Sequence, residues 1–100
     1  MKIKTNEASG PALDWMVAKA IGDYKPVAVP AYSTDWAQGG PIIERELCDM
    51  ELLHDKTWRA FMWVSEGQVQ IGVGATPLIA AMRCYVSSKL GEEVEVPEGL

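Results

Sequence analysis

The chain has 100 residues, of which 48% are apolar and 23% charged. A chain of that length closes one domain, residues 1–100, whose core takes roughly 65% of the unfolded surface out of water. The balance excludes wholesale disorder and collagen-like repeats, and no apolar run reaches the roughly 18 residues that suggest a membrane helix. Nine basic against fourteen acidic residues leave a net charge of −5. That sign argues against direct nucleic-acid binding and against an anionic membrane, both of which need basic surface.

Met1-Lys2-Ile3-Lys4 is basic, but no apolar segment follows it, so no secretory leader is expected and the cytoplasm is the expected compartment. The first helix is predicted from Gly10 to Ile21. Ser9 is a candidate cap, Pro11 suits a first turn, and Leu13, Met16, Val17, Ala20 and Ile21 share a face at helical spacing. Gly22 stops it, and Trp15 and Lys19 project from the other side. Val27-Ala28-Val29 is expected to be a short strand or extended piece, which Pro26 and Pro30 confine to an edge or irregular position. Residues 33–45 are expected to form an unusual loop.

Cys48, Met50 and Leu52 alternate with Asp49 and Glu51 and predict a half-buried strand. After a polar turn at 54–57, Trp58, Ala60, Met62 and Val64 form one face of a second strand, with Arg59, Phe61 and Trp63 opposite. Ser65-Glu66-Gly67 is a tight turn. Val69, Ile71 and Val73 then alternate with Gln68, Gln70 and Gly72, completing a meander. The last helix has Thr76 as cap, Pro77 as first residue, a core stripe of Leu78, Ala81, Met82, Tyr85 and Val86, and Gly91 as its end. The acidic stretch 92–96 can add a short edge strand. The expected fold is α+β: a small antiparallel sheet of three to four strands packed with two α-helices. The sheet face bearing Phe61 and Trp63 then needs a cover or a partner.

Chemistry-bearing residues are sparse. His54 is the only histidine, in a polar turn beside Asp55. Cys48 and Cys84 are 36 positions apart in the chain, a poor zinc set and best read as small buried hydrophobes. No nucleophile elbow or Cys–His pairing is evident, and Asp49 and Glu51 fit a solvated strand face. No metal, cofactor or enzymatic activity is expected. The loop offers more. Trp36 is a stacking plane, Gly39-Gly40 lets a ligand approach main-chain N–H groups, and Arg45 is a planar five-donor fork. The same residues can instead pack the loop onto the core and pair Arg45 with Glu44 or Glu46. The strand-to-helix turn at 72–77 can hold an anion or simply turn the chain. Arg83, at the border of the last helix's core stripe, can reach a neighbouring carboxylate or join Arg45 in a positive centre.

Three stretches together resemble the NinX-like family of lambdoid phages and prophages. They are Ala12-Leu13-Asp14-Trp15 with Val17-Ala18-Lys19-Ala20, Ser33 through Arg45, and Thr76 through Val86 with Lys89-Leu90-Gly91. The family is a domain of unknown function. The resemblance implies a phage accessory protein made in the infected bacterium's cytoplasm, and it brings no catalytic residues. It marks Trp36, Gln38, Gly39, Gly40, Pro41, Glu44, Arg45, Thr76, Pro77 and Arg83 as family motif positions, taken here as candidate ligand-binding residues.

The leading expectation is non-catalytic binding of a small anionic or nucleotide-like ligand, by analogy with small phage proteins that sequester a host signalling nucleotide. The alternative is a protein-interaction module that inhibits a host factor or assists phage recombination or replication, with Trp15, Phe61 and Trp63 as its aromatics. Self-association as a homo-oligomer belongs to that alternative.

Overall fold

A computed structural model describes every residue except Tyr24, Lys25, Leu47 and Glu66. Among the described residues there are three α-helices: α1 (Gly10–Ile21), α2 (Trp36–Glu46) and α3 (Pro77–Leu90). Strands β2 (Asp49–Leu52), β3 (Trp58–Ser65) and β4 (Gln68–Gly74) form an antiparallel sheet in the order β2-β3-β4. A separate two-stranded sheet pairs β1 (Lys2–Lys4) with β5 (Glu93–Glu95), antiparallel. The fold is thus α+β, as expected. The acidic stretch does supply an edge strand, and its partner at the chain start has no signal in the sequence.

The last helix organises the molecule. Leu78, Ala80, Ala81, Met82, Cys84, Tyr85, Val86 and Ser87 are all buried, so α3 is enclosed on more than one side. It lies on β3 and β4 with one face, while α1 and α2 pack mainly against α3. The expected pair of helices on the sheet is therefore one helix on the sheet and two helices on that helix. The core joins Leu13, Met16 and Val17 of α1, Ile42 of α2, Ala60 and Met62 of β3, and the stripe of α3.

Close contact between α3 and β4 follows from glycine. A Cβ at Gly72 would lie 2.4 Å from both the Ala80 carbonyl oxygen and the Cys84 nitrogen. No real Cβ tolerates that, so only glycine lets the helix settle on the strand at this point.

The helix start is capped as expected: the Thr76 hydroxyl accepts from the Ile79 N–H at 3.1 Å. Thr76→Ala should cost about 1 kcal/mol, read as a fall of roughly 4–8 °C in melting temperature. Ser9 precedes α1 without a side-chain cap bond.

Three local expectations are corrected. Residues 33–45 are not a loop over most of their length, because α2 spans Trp36–Glu46. Asp35 starts it, taking the Ala37 N–H on its carboxylate at 2.9 Å and the Gln38 and Gly39 N–H groups on its carbonyl. Pro41 falls six residues into the helix. Second, residues 27–29 form no strand, and Ala28 takes a left-handed φ of 51°. Third, Ile21 ends α1 exposed rather than on its core face. The hairpin turn after β3 includes Glu66, which lies outside the described residues; Gly67 takes a φ of 76°, and the register shifts between Trp63 and Ser65.

Candidate functional site

The segment before α2 and the start of α3 do meet. Ser33, Thr34 and Trp36 line a small cleft of about 190 Å³ together with Thr76, Leu78 and Ile79. Trp36 is 51% exposed at its mouth. The segment is fixed from a third element: Asp14 of α1 accepts from the Ser33 N–H at 2.7 Å and from its hydroxyl at 2.6 Å. Asp14 lies 19 residues upstream, and nothing at that spacing signals the contact.

The other candidate residues divide among different tasks. Gly39 is buried, and a Cβ there would lie 2.3 Å from the Tyr32 carbonyl oxygen and 2.6 Å from Leu78 Cδ1. Its missing side chain admits the chain itself rather than a ligand. Gly40 is more open, with only Trp36 Cε3 near, at 3.7 Å. Gln38, Pro41 and Glu44 are exposed on α2, and Pro77 is half-buried at the first turn of α3. None of these four lines the Trp36 cleft.

The two arginines are not brought together in it. Arg45 binds Glu46 at 3.1 Å and approaches the Tyr85 hydroxyl at 3.5 Å. The Glu46 contact raises its already high pKa, while burial raises that of the Tyr85 phenol. Arg83 donates through Nε to the Ala8 carbonyl at 2.8 Å and through a terminal nitrogen to the Val73 carbonyl at 2.7 Å. Burial lowers its pKa, yet a guanidinium stays charged. Arg83 therefore ties the chain's first turn to β4, and on α3 it projects about 160° away from Tyr85 around the helix axis. Neither guanidinium lines the cleft beside Trp36, so the structure holds no shared positive centre there.

The cysteines, distant in sequence, are neighbours in space. Both are free thiols; Cys84 donates to the Gln70 carbonyl at 3.2 Å and Cys48 approaches the Asp49 carbonyl at 3.8 Å. Their mutual interaction holds Cys48 below the ordinary thiol range and pushes Cys84 above it, and burial adds to the rise at Cys84. Among the described residues, no group of three or more histidine, cysteine or acidic side chains could hold a metal ion. No helix among them is long and apolar enough to cross a membrane.

The most conspicuous surface is the sheet face turned away from α3. The register aligns Asp49, Phe61 and Ile71 in one row, Glu51, Arg59 and Val73 in the next, and Trp63 with Val69 in a third. Cross-strand partners share a face, so these eight side chains form one surface. Trp63 is 68% exposed, Ile71 45%, Val69 40% and Val73 37%. An antiparallel sheet with one wet face normally places polar residues there. Here β4 does the reverse, with glycine against the helix and branched apolar side chains outward. Glu51 and Arg59 form an ion pair on this face. They border a shallow depression of about 310 Å³ completed by Phe61, Val69 and Ile71. Trp15 is not part of this surface. It lies half-buried in a separate cleft with Pro11, Val27, Val29 and Leu100, with Lys19 over its ring at 5.7 Å.

No curated protein matches the chain. Residues 24–89, which carry α2, the whole three-stranded sheet and nearly all of α3, match the family described as "Bacteriophage P22, NinX". With that stretch covering well over half of its length, the chain belongs to the phage NinX family.

Proposed function

We propose that the protein is a non-catalytic phage accessory protein, acting in the host bacterial cytoplasm, that works through protein contact. Its contact surface is the outward face of the β2-β3-β4 sheet. The observation that carries this reading is the row of exposed apolar side chains from Trp63 to Val73 on a face where water should select polar ones. A large exposed Trp amid branched aliphatics is the composition of an interface centre, and the Glu51–Arg59 pair supplies part of a polar rim. In this setting the protein inhibits a host factor or assists phage recombination or replication. Affinity capture from phage-infected host lysate tests it. A partner retained by the native chain and lost with Trp63→Glu is the expected result. Equal recovery with both chains contradicts the reading.

A second reading is favoured by the meeting of Trp36 with Thr76 across a solvent-reachable cleft. There a small anionic or nucleotide-like ligand would stack on the indole, and the protein would sequester a host signalling nucleotide. The dispersal of Arg45 and Arg83 puts this reading second, since the cleft then offers stacking without a guanidinium for the anion. The check is native mass spectrometry of the protein purified from bacteria, followed by thermal shifts with a nucleotide panel. A nucleotide that raises the melting temperature, with the rise abolished by Trp36→Ala, would establish this reading. No shift across the panel removes it.

A further inference from the structure

We propose that the occupant of the open sheet face is a second copy of the same chain, stacked face to face about a two-fold axis. This inference rests on the contact-surface reading above and names its partner.

Area is the first argument. Trp63, Ile71, Val69 and Val73, with half-buried Phe61 among them, present on the order of 400 Å² of apolar surface, given about 150–250 Å² for a whole aromatic side chain. A standard interface buries about 800 Å² on each partner, a little more than half of it apolar. One copy of this face therefore supplies roughly the apolar part of one side.

Shape is the second. A two-fold interface must be self-complementary, so a projection and its receptor have to occupy the same face. Trp63 projects near one end of β3, and the depression lined by Val69, Ile71, Phe61, Glu51 and Arg59 extends from beside it along the strands toward the Arg59 row. A two-fold axis running across the strands brings the Trp63 end of each copy over the Arg59 end of the other. The indole then enters the depression, and the guanidinium can lie against its ring.

Charge is the third. Arg59 is already neutralised by Glu51 on the same face, so stacking two copies does not strand that charge in an apolar layer. The remaining charge on the face is Asp49, which is exposed at the start of β2, a strand at the edge of the sheet. It can stay in water at the rim. The product is a six-stranded sandwich with sheets about 10 Å apart and an α3 helix on each outer side.

Light scattering behind size exclusion, at high micromolar concentration, decides the question. The native chain should show twice the 11.0 kDa chain mass. Trp63→Glu and, separately, Ile71→Glu should each give the single-chain mass with an unchanged far-ultraviolet circular dichroism spectrum. Both positions are exposed in the lone chain, so neither change disturbs its core. A native chain of single mass overturns the second copy as occupant. So does a doubled mass that persists in both folded variants, since the contact then lies elsewhere. If the native chain is single while Trp63→Glu still abolishes capture of a host or phage protein, the second-copy proposal fails alone and the contact-surface reading stands.

Discussion

Gly72→Ala should lower the stability of the protein by about 3 kcal/mol or more. The added methyl has no space: the Ala80 carbonyl oxygen and the Cys84 nitrogen each lie 2.4 Å from its position, and Cys84 Cα lies at 2.9 Å. All three are backbone atoms, so no side-chain rotation relieves the clash. Either α3 lifts from β4 or β4 bows outward. Both open the main contact between helix and sheet, where Ala60, Met62, Ala80 and Cys84 are buried. In a domain near this size the loss corresponds to a fall on the order of 10–20 °C in melting temperature. A thermal scan by circular dichroism reads it. A fall of only a degree or two would mean that the helix does not rest on the strand at this residue. Gly67→Ala is a useful comparison. Its site has open space around it, so any loss there comes from the positive φ alone.

Asp14→Ala should be the next most damaging change, at about 3 kcal/mol. It removes the acceptor for both the Ser33 N–H and the Ser33 hydroxyl. Ser33 is buried, so both donors lose a charge-assisted bond without gaining water, and each unsatisfied group costs about 1–3 kcal/mol. The consequence reaches the entry to α2, because Ser33 sits two residues before the capping Asp35. Asp14→Asn keeps an acceptor oxygen and should lose about half as much. Urea unfolding of Asp14→Ala, Ser33→Ala and the double variant measures the coupling. The double variant should be less damaged than the two single losses added together. Simple additivity would mean that the Asp14–Ser33 bonds contribute no stability.

The readable parts of this fold are those whose causes are local in sequence. Thr76-Pro77 announces the start of α3, Gly22 the end of α1, and the alternation through Trp58–Val64 the strand β3. The outward facing of half-buried Phe61 and exposed Trp63 also follows from that alternation. Residues 33–45 were harder because Gly39-Gly40-Pro41 is a turn-like tripeptide that intrinsic propensity places outside helices. What overrides propensity is tertiary. Ile42 is buried in the core, and Gly39 fits beneath Tyr32 and Leu78. Pro41 forgoes the N–H bond to the Ala37 carbonyl in the first turn and crowds that carbonyl, a cost that the packing of Ile42 and Gly39 offsets. The β1–β5 pair joins the two ends of the chain, and Asp14 reaches Ser33 from another element. No window of sequence holds both members of either contact.

The candidate site shows the same division. The meeting of Trp36 with Thr76 joins segments 40 positions apart, and each is marked in the sequence only by its own turn-forming residues. The separation of Arg45 from Arg83 could not be anticipated, because it depends on which carbonyls happen to lie within reach. Arg83 meets those of Ala8 and Val73. The outward face of β4 was present in the alternation of Val69, Ile71 and Val73. Its orientation becomes legible only once Gly72 is recognised as the bearing surface for α3.

The account turns on a second copy of the chain covering the outer sheet face. The most direct test compares two exposed tryptophans on different surfaces, by measuring the solution mass of Trp63→Glu beside that of Trp36→Glu. The account predicts a doubled chain mass for the native protein and Trp36→Glu, and a single mass for Trp63→Glu. The same mass for all three proteins would contradict it.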